Sequence, residues 1–291
     1  MIQSLNISRS ALRTMQQAID NTSNNMANID TYGYKRKSVT FSELLSDRMK
    51  EQPYTDAQRR TTAEGLRIGS GVKLGHTKLD MAQGSAKITE IPSDLMIEGD
   101  GFFMVSHRIL DNNGILQKEE YRLTRDGAFR LTNSEADPEA FYNLVTASGD
   151  VLVDDRGIAI EIPKDQKFKI EPDGSISLDG DRDSGLRIPL WEVPNADKFV
   201  QAGNNEFLLE LPEGETNPGN VFSVLNDPNR PEYNFNKTPP TIRQGALEMS
   251  NVSLQDEMSQ LVVIQRAFQL NSRAVGIADQ MMGIANSIRS S

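Results

Sequence analysis

Between Ser253 and Arg289 apolar residues recur every seven positions in four parallel columns. One holds Leu254, Leu261, Phe268, Val275 and Met282, and a second Val263, Leu270, Ile277 and Ile284. A third holds Ala267, Ala274, Met281 and Ile288, and a fourth Ile264, Ala278 and Ala285. At about 100° per residue this spacing predicts one long helix whose apolar surface covers about half its circumference, wider than the two-column seam of a dimeric coiled coil. Leaving the second column in water would cost about 6 to 10 kcal/mol, comparable with the net stability of a whole domain. The other end of the chain has a matching pattern. Leu5, Leu12, Ile19 and Met26 fall seven apart, with Ala11, Met15, Ala18 and Ile29 beside them, which predicts a second amphipathic helix over about 4–28 lying against the first. One such neighbour covers only part of the four-column surface, so the remainder points to other copies of the chain. The alternative is an ordinary helical hairpin on the protein's own core.

Between the helices the period changes from seven to two. Tyr121 and Leu123 alternate up to Asp126-Gly127, with Phe129 and Leu131 beyond it; Phe168 and Ile170 precede Pro172-Asp173-Gly174, with Ile176 and Leu178 after; Leu144 and Val151 flank Ser148-Gly149-Asp150. Gly in such a turn supplies the positive φ that tight hairpins need, so three hairpins are predicted. Phe102–Val105, Ile158–Ile162, Leu186–Trp191 and Phe207–Leu211 add further strands. The expected fold class is therefore α+β: terminal helices forming a coiled-coil-like domain (1–45 plus 241–291), and a central all-β domain (65–225). Two polar stretches join them. Residues 46–64 are almost free of aliphatic side chains, and 226–240 are rich in proline, which resists both helix and central strand.

Composition narrows the function classes. A formal charge of −10 argues against nucleic acid, whose phosphates are bound by clustered Lys and Arg. Lys35-Arg36-Lys37 is the one basic triplet and reads as a helix-end or interface feature. No apolar run approaches membrane length, which argues against membrane insertion, and the start lacks the basic and apolar regions of a cleaved secretory signal. Without cysteine there are neither disulfides nor thiolate metal sites.

Catalytic and metal motifs are sparse. His76 and His107 accompany no nucleophile elbow and read as surface or structural residues. Gly69-Ser70-Gly71 with Gly75 lacks the spacing of a phosphate loop and reads as turns. Asp179, Asp181 and Asp183 alternate like the first calcium ligands of a loop, but Ser184 and Leu190 stand where Gly and a bidentate Glu belong, so at most weak calcium binding is expected. Glu119-Glu120 and Asp154-Asp155 fail as catalytic dyads because adjacent strand residues face opposite ways; they are expected to flank turns. No cofactor is called for, and the chain reads as no enzyme.

The segment Ser23-Asn24-Asn25-Met26-Ala27-Asn28-Ile29-Asp30-Thr31-Tyr32-Gly33-Tyr34-Lys35-Arg36 resembles the N-terminal signature of the flagellar rod and hook proteins. Gln244 to Val252, followed by Gln265-Arg266-Ala267-Phe268 and Asp279-Gln280-Met281, is similar to the same family's C-terminus. Leu66 to Val72 and Ile97 to Val105 agree as well, so the resemblance runs along nearly the whole chain. It is nearest the distal-rod branch, which carries a polar stretch of similar length before its Gly-x-Gly-Val element. Met96, 107–120 and 133–143 depart from the family pattern on the outer β surface.

The resemblance implies a structural subunit of the bacterial flagellar basal body. Such a subunit is exported through the flagellar export apparatus without a cleaved signal and polymerises with copies of itself and with other rod and hook proteins into a rigid drive shaft. A different rod or hook-basal-body paralogue is the alternative within the class, and a peptidoglycan-cleaving enzyme or a closed coiled-coil adhesin the alternatives outside it. Candidate assembly residues are Asn24, Asn25, Asn28, Gly33, Tyr34, Leu254, Leu261, Phe268, Val275 and Met282. Asn21, Asn24, Asn25 and Asn28 recur at helical spacing, as neutral groups suited to bonds between helices. Gly33 is expected to let the backbone leave the helix, with Tyr34 anchoring the exit.

Overall fold

A computed structural model describes residues 2–44, 46–48, 67–69, 71–110, 116–134, 137–179, 185–192, 200–203, 205–208, 224–226 and 239–290. It is α+β, with a helix at each end of the sequence and a β-rich centre. The chain divides into two compact units: 1–27, 37–80 and 253–291 form the first, and 28–36 with 81–252 the second.

In the first unit, α1 (Ile2–Ala27) packs on α2 (Leu254–Ser290). They run antiparallel, since Asn25 of α1 meets Glu257 of α2 while Met15 meets Asn271. The most buried line on α1 is Thr14, Ala18, Thr22 and Asn25, small residues whose spacing keeps them on one face. The hydroxyls of Thr14 and Thr22 donate to the carbonyls of Ser10 and Ala18 one turn back, which lets polar side chains be buried without loss. Ser253 opens α2 as its cap, with Asp256 and Glu257 in the first turn, where the helix dipole favours negative charge. A two-stranded antiparallel ribbon completes the unit. Lys37–Glu43 pairs with Val72–Leu79, and Ser46–Arg48 continues onto Arg67–Gly69.

The second unit is built on an antiparallel sheet that includes Phe103–Leu110, Leu116–Thr124 and Phe141–Val145. Its core gathers Leu95, Ile97, Phe103, Phe129, Leu144 and Leu152, with Phe103 and Phe129 edge to face at 5.4 Å. Trp191 is fully buried, and its backbone exchanges two hydrogen bonds with Phe102.

The unit boundaries differ from those expected. Thr241–Gln244 pairs with Leu95–Glu98 and Ala246–Glu248 with Ala86–Ile88, so 241–252 belongs to the β unit, as does 28–36. Residues 65–80 go the other way, because Val72–Leu79 finds its partner strand next to α1 in sequence. Most of 46–64 and of 226–240 lies outside the described residues.

Two of the three hairpins are present. Gly149 and Gly174 have φ of 92° and 87°, and the strands beside them pair as Val145 with Val151 and Phe168–Ile170 with Ile176–Leu178. The Asp126-Gly127 turn does not join neighbours. Leu116–Thr124 pairs with Phe103–Leu110, and Arg130–Asn133 with Phe141–Val145. Gly127 is there for close approach instead, because its carbonyl accepts from the Leu95 amide at 3.0 Å and a Cβ on it would stand 1.6 Å from the Leu95 carbonyl oxygen.

Gly127→Ala should therefore lower the melting temperature of the β unit, whereas Gly276→Ala, in open space inside α2, should raise helix stability by about 0.5 to 1 kcal/mol. Differential scanning calorimetry of the two variants checks both signs.

Candidate assembly surface

Two places in the chain gather the residues singled out by the sequence. The first is α2. Glu257 and Asn271, which bond to α1, mark the side of α2 that faces it. Ile264 and Ala278 lie on that side and are buried, and Leu261, Phe268, Val275 and Met282 are half-buried. The first column thus serves the pairing with α1, apart from Leu254, which is exposed at the start of the helix. About 120° round the helix lies a stripe of Val263, Leu270, Ile277, Met281, Ile284 and Ile288, confined to an arc of about 60°. Every one is exposed, from 48% at Met281 to 72% at Ile288. The second column and the outer part of the third therefore remain uncovered.

The second place is a buried ionic centre in the β unit. Glu248 is 2% exposed and accepts from Lys35 Nζ at 2.7 Å, the Gly84 amide at 2.9 Å and Arg125 Nη1 at 3.0 Å. Its backbone carbonyl accepts from the Gly33 amide at 2.9 Å. Lys35 also donates to Ala82 O, and Arg125 to Gly99 O while lying over the Phe102 ring. The two resembling segments, one near each end of the sequence, thus meet at one carboxylate. Burial alone would push the Glu248 carboxyl up, but Arg125 and Lys35 beside it outweigh burial and hold it below its usual value.

Several sequence expectations change here. Lys35 is buried and paired, so the basic triplet is not a helix end. Gly33 lies six residues beyond the end of α1; its φ of 65° and its contact with the Arg125 backbone, where a Cβ would stand 2.5 Å from the carbonyl carbon, explain it. Tyr34 is buried in the same unit, and Thr31 donates to Asn28 Oδ1 in the turn before it. Of the asparagines, Asn25 reaches the other helix, through Glu257 at 3.2 Å. Asn25 also exchanges hydrogen bonds with the Lys37 backbone, to which Asn21 donates at 2.7 Å, so together they hold the first strand of the ribbon on α1. Asn24 is exposed. The buried Glu248 and Arg125 gave no sequence signal beyond their place in or near family segments.

The histidines and carboxylates named from the sequence lie elsewhere. His107 Nδ1 contacts Asp150 Oδ1, and His76 lies on an exposed part of the ribbon. Glu119 and Glu120 lie within Leu116–Thr124 rather than beside a turn, directed to Arg108 and Arg122 respectively, whereas Asp154 caps the turn to Ile158. Asp179 accepts from the Lys167 amide, and Asp181 and Asp183 lie outside the described residues.

Glu248→Gln should cost about 3 to 5 kcal/mol, since it leaves two buried cations without their anion. Because the folded carboxyl is depressed, its contribution is present above its unfolded value, near pH 4.5, and is lost as pH falls through the folded value. Acid titration of β-unit melting should show this loss in the parent chain and a flatter profile in the variant.

Three family models match. The one described as flagella basal body rod protein covers 5–35, the flagellar hook protein FlgE/F/G D1 domain covers 96–178, and the flagellar basal body rod FlgEFG protein C-terminal covers 243–288. The chain is 32% identical to the flagellar hook-basal body complex protein FlhP of Bacillus subtilis, over 99% of this chain and 100% of that one. It is 30% identical to the flagellar basal-body rod protein FlgG of Bacillus subtilis, over 97% of each. With FlgG of Borreliella burgdorferi it shares 27% identity over 99% of each. A peptidoglycan-cleaving activity finds no support among these relatives. The chain belongs to the flagellar basal-body rod and hook protein family, similar throughout its length to the FlgG rod proteins, and is a structural subunit of the flagellar rod and not an enzyme.

Proposed function

We propose that this subunit forms the distal rod by polymerising with copies of itself through the terminal helices, which pack in coiled-coil-like fashion as an inner tube. The observation that carries this reading is the exposed stripe on α2. Six large apolar side chains on one arc, each worth about 1.5 to 3 kcal/mol when buried, favour a further helix over water. A helix already paired with α1 and still apolar on another side is suited to a lattice, in which each helix has several neighbours. The first-column residues Leu261, Phe268, Val275 and Met282 then hold α1 and α2 together, and Leu254 with the stripe meets neighbouring copies. Asn24, Asn25, Asn28, Gly33 and Tyr34 shape the chain where it leaves α1. The assembled shaft passes torque onward and meets other rod and hook proteins at its ends. Export through the flagellar apparatus without a cleaved signal, and the absence of nucleic-acid or membrane partners, complete the reading.

Ile277→Asp and Leu270→Ser should abolish polymerisation while leaving β-unit melting unchanged, because both side chains are solvated in the free subunit. Sedimentation and electron microscopy of concentrated protein test this; intact filaments from either variant would refute the stripe as the contact.

The polar stretch 46–64 is proposed as an axial clamp that stiffens the polymer. The ribbon supports this, since it runs along α1 from Lys37 beside Asn25 to Val72 beside Ser10 and Thr14, and continues to residue 48 and back from 67. Deleting 49–64, which spares the paired strands, should leave folding intact and give curved or flexible polymers. Straight, stiff filaments from the deletion would move the stiffness to contacts of the β unit.

A further inference from the structure

Met281 lies within the exposed stripe of α2. At 3.6 residues per turn, five turns separate it from Val263, so the two share one azimuth, with Leu270 and Ile288 about 20° away and Ile277 about 40° away. Its side chain is 48% exposed. Met258 is as exposed, at 52%, but stands about 140° round the same helix, off the stripe. The helix thus presents two accessible thioethers, one inside the apolar stripe and one outside it.

We propose that Met281 is an oxidative modification site that controls assembly: its conversion to the sulfoxide disables the stripe, and reduction restores it. The inference rests on the assembly reading above. The oxidant is a peroxide. The thioether sulfur of Met281 attacks the peroxide, the O–O bond breaks, an S–O bond forms, sulfur loses two electrons and the peroxide is reduced to water. The product replaces an apolar, flexible side chain with a polar, chiral one whose oxygen demands a hydrogen bond. The neighbours on that arc are Val263, Leu270, Ile277, Ile284 and Ile288, which offer no side-chain donor. Packing the sulfoxide between such surfaces would leave a strong acceptor unpaired. A methionine sulfoxide reductase reverses the step, taking the oxygen off as water at the expense of a thiol pair that becomes a disulfide. The same burial makes the site state-dependent, since the free subunit exposes the sulfur and a packed stripe covers it.

The experiment treats full-length chain with hydrogen peroxide and follows each methionine by mass spectrometry and assembly by sedimentation. The parent chain, Met258→Leu and Met281→Leu are compared. Oxidised parent and oxidised M258L should need at least about ten times more protein to polymerise than untreated chain, and sulfoxide reductase should restore both. Oxidised M281L, which keeps every other methionine, should polymerise like its untreated form. In preformed polymer Met281 should oxidise at least about ten times more slowly than in free subunit while Met258 stays reactive. Equal loss of assembly in M281L, or equal oxidation of Met281 in both states, overturns the proposal while leaving the assembly reading standing. Untreated parent chain that never polymerises overturns the assembly reading, and this inference with it.

Discussion

One helix can be covered by one neighbouring helix on one side only, and most of this protein's design follows from that limit. α2 meets α1 through Glu257, Asn271 and the buried Ile264 and Ala278. On α1 the partners are Asn25 and Met15, while Thr14 on the neighbouring face donates to Val72 O of the ribbon. What lies about 120° away on α2 cannot reach α1. Ribbon, helix pair and exposed stripe belong to one compact unit.

The β unit answers a different constraint, the cost of burying charge. Two cations and one carboxylate sit together almost wholly out of water, and each cation also donates to a backbone carbonyl, Lys35 to Ala82 and Arg125 to Gly99. Those extra bonds, with the Gly84 amide on Glu248, satisfy groups that the ion pairs alone would leave open. Removing one member strands the others, so the centre ties Lys35, Ala82, Gly84, Gly99 and Arg125 to Glu248. Gly33 is part of the same arrangement, as its lack of a side chain is what lets the Arg125 backbone come close.

Much of this was legible in the residues, and the failures have physical causes. The ends of both helices were readable because heptad spacing persists over several turns and only a helix lines such positions up. Gly149 and Gly174 were readable as turns because the conformation they adopt is local. Gly127 was misread: the same dipeptide that makes a hairpin also permits close packing, and only the position of Leu95 tells the two apart. Lys35 read as a helix-end or interface residue, and its buried pairing was hidden because its carboxylate lies 213 residues away in sequence. The faces of α2 were half legible. The columns were found, but which column faces α1 depends on where Asn25 and Met15 meet the partner helix.

The sequence by itself determined the periodicities: two amphipathic helices at its ends, period-two strands between them, an apolar surface on α2 wider than one neighbour covers, and the family signatures. These are local or repeating properties, set by backbone geometry and side-chain spacing, so no fold is needed to see them. Only the tertiary structure decided which apolar column is spent inside the molecule and which is left outside, that 28–36 and 241–252 close the β unit, and that Glu248 joins them. Those outcomes depend on contacts between residues far apart in the chain, whose pairing no local pattern encodes.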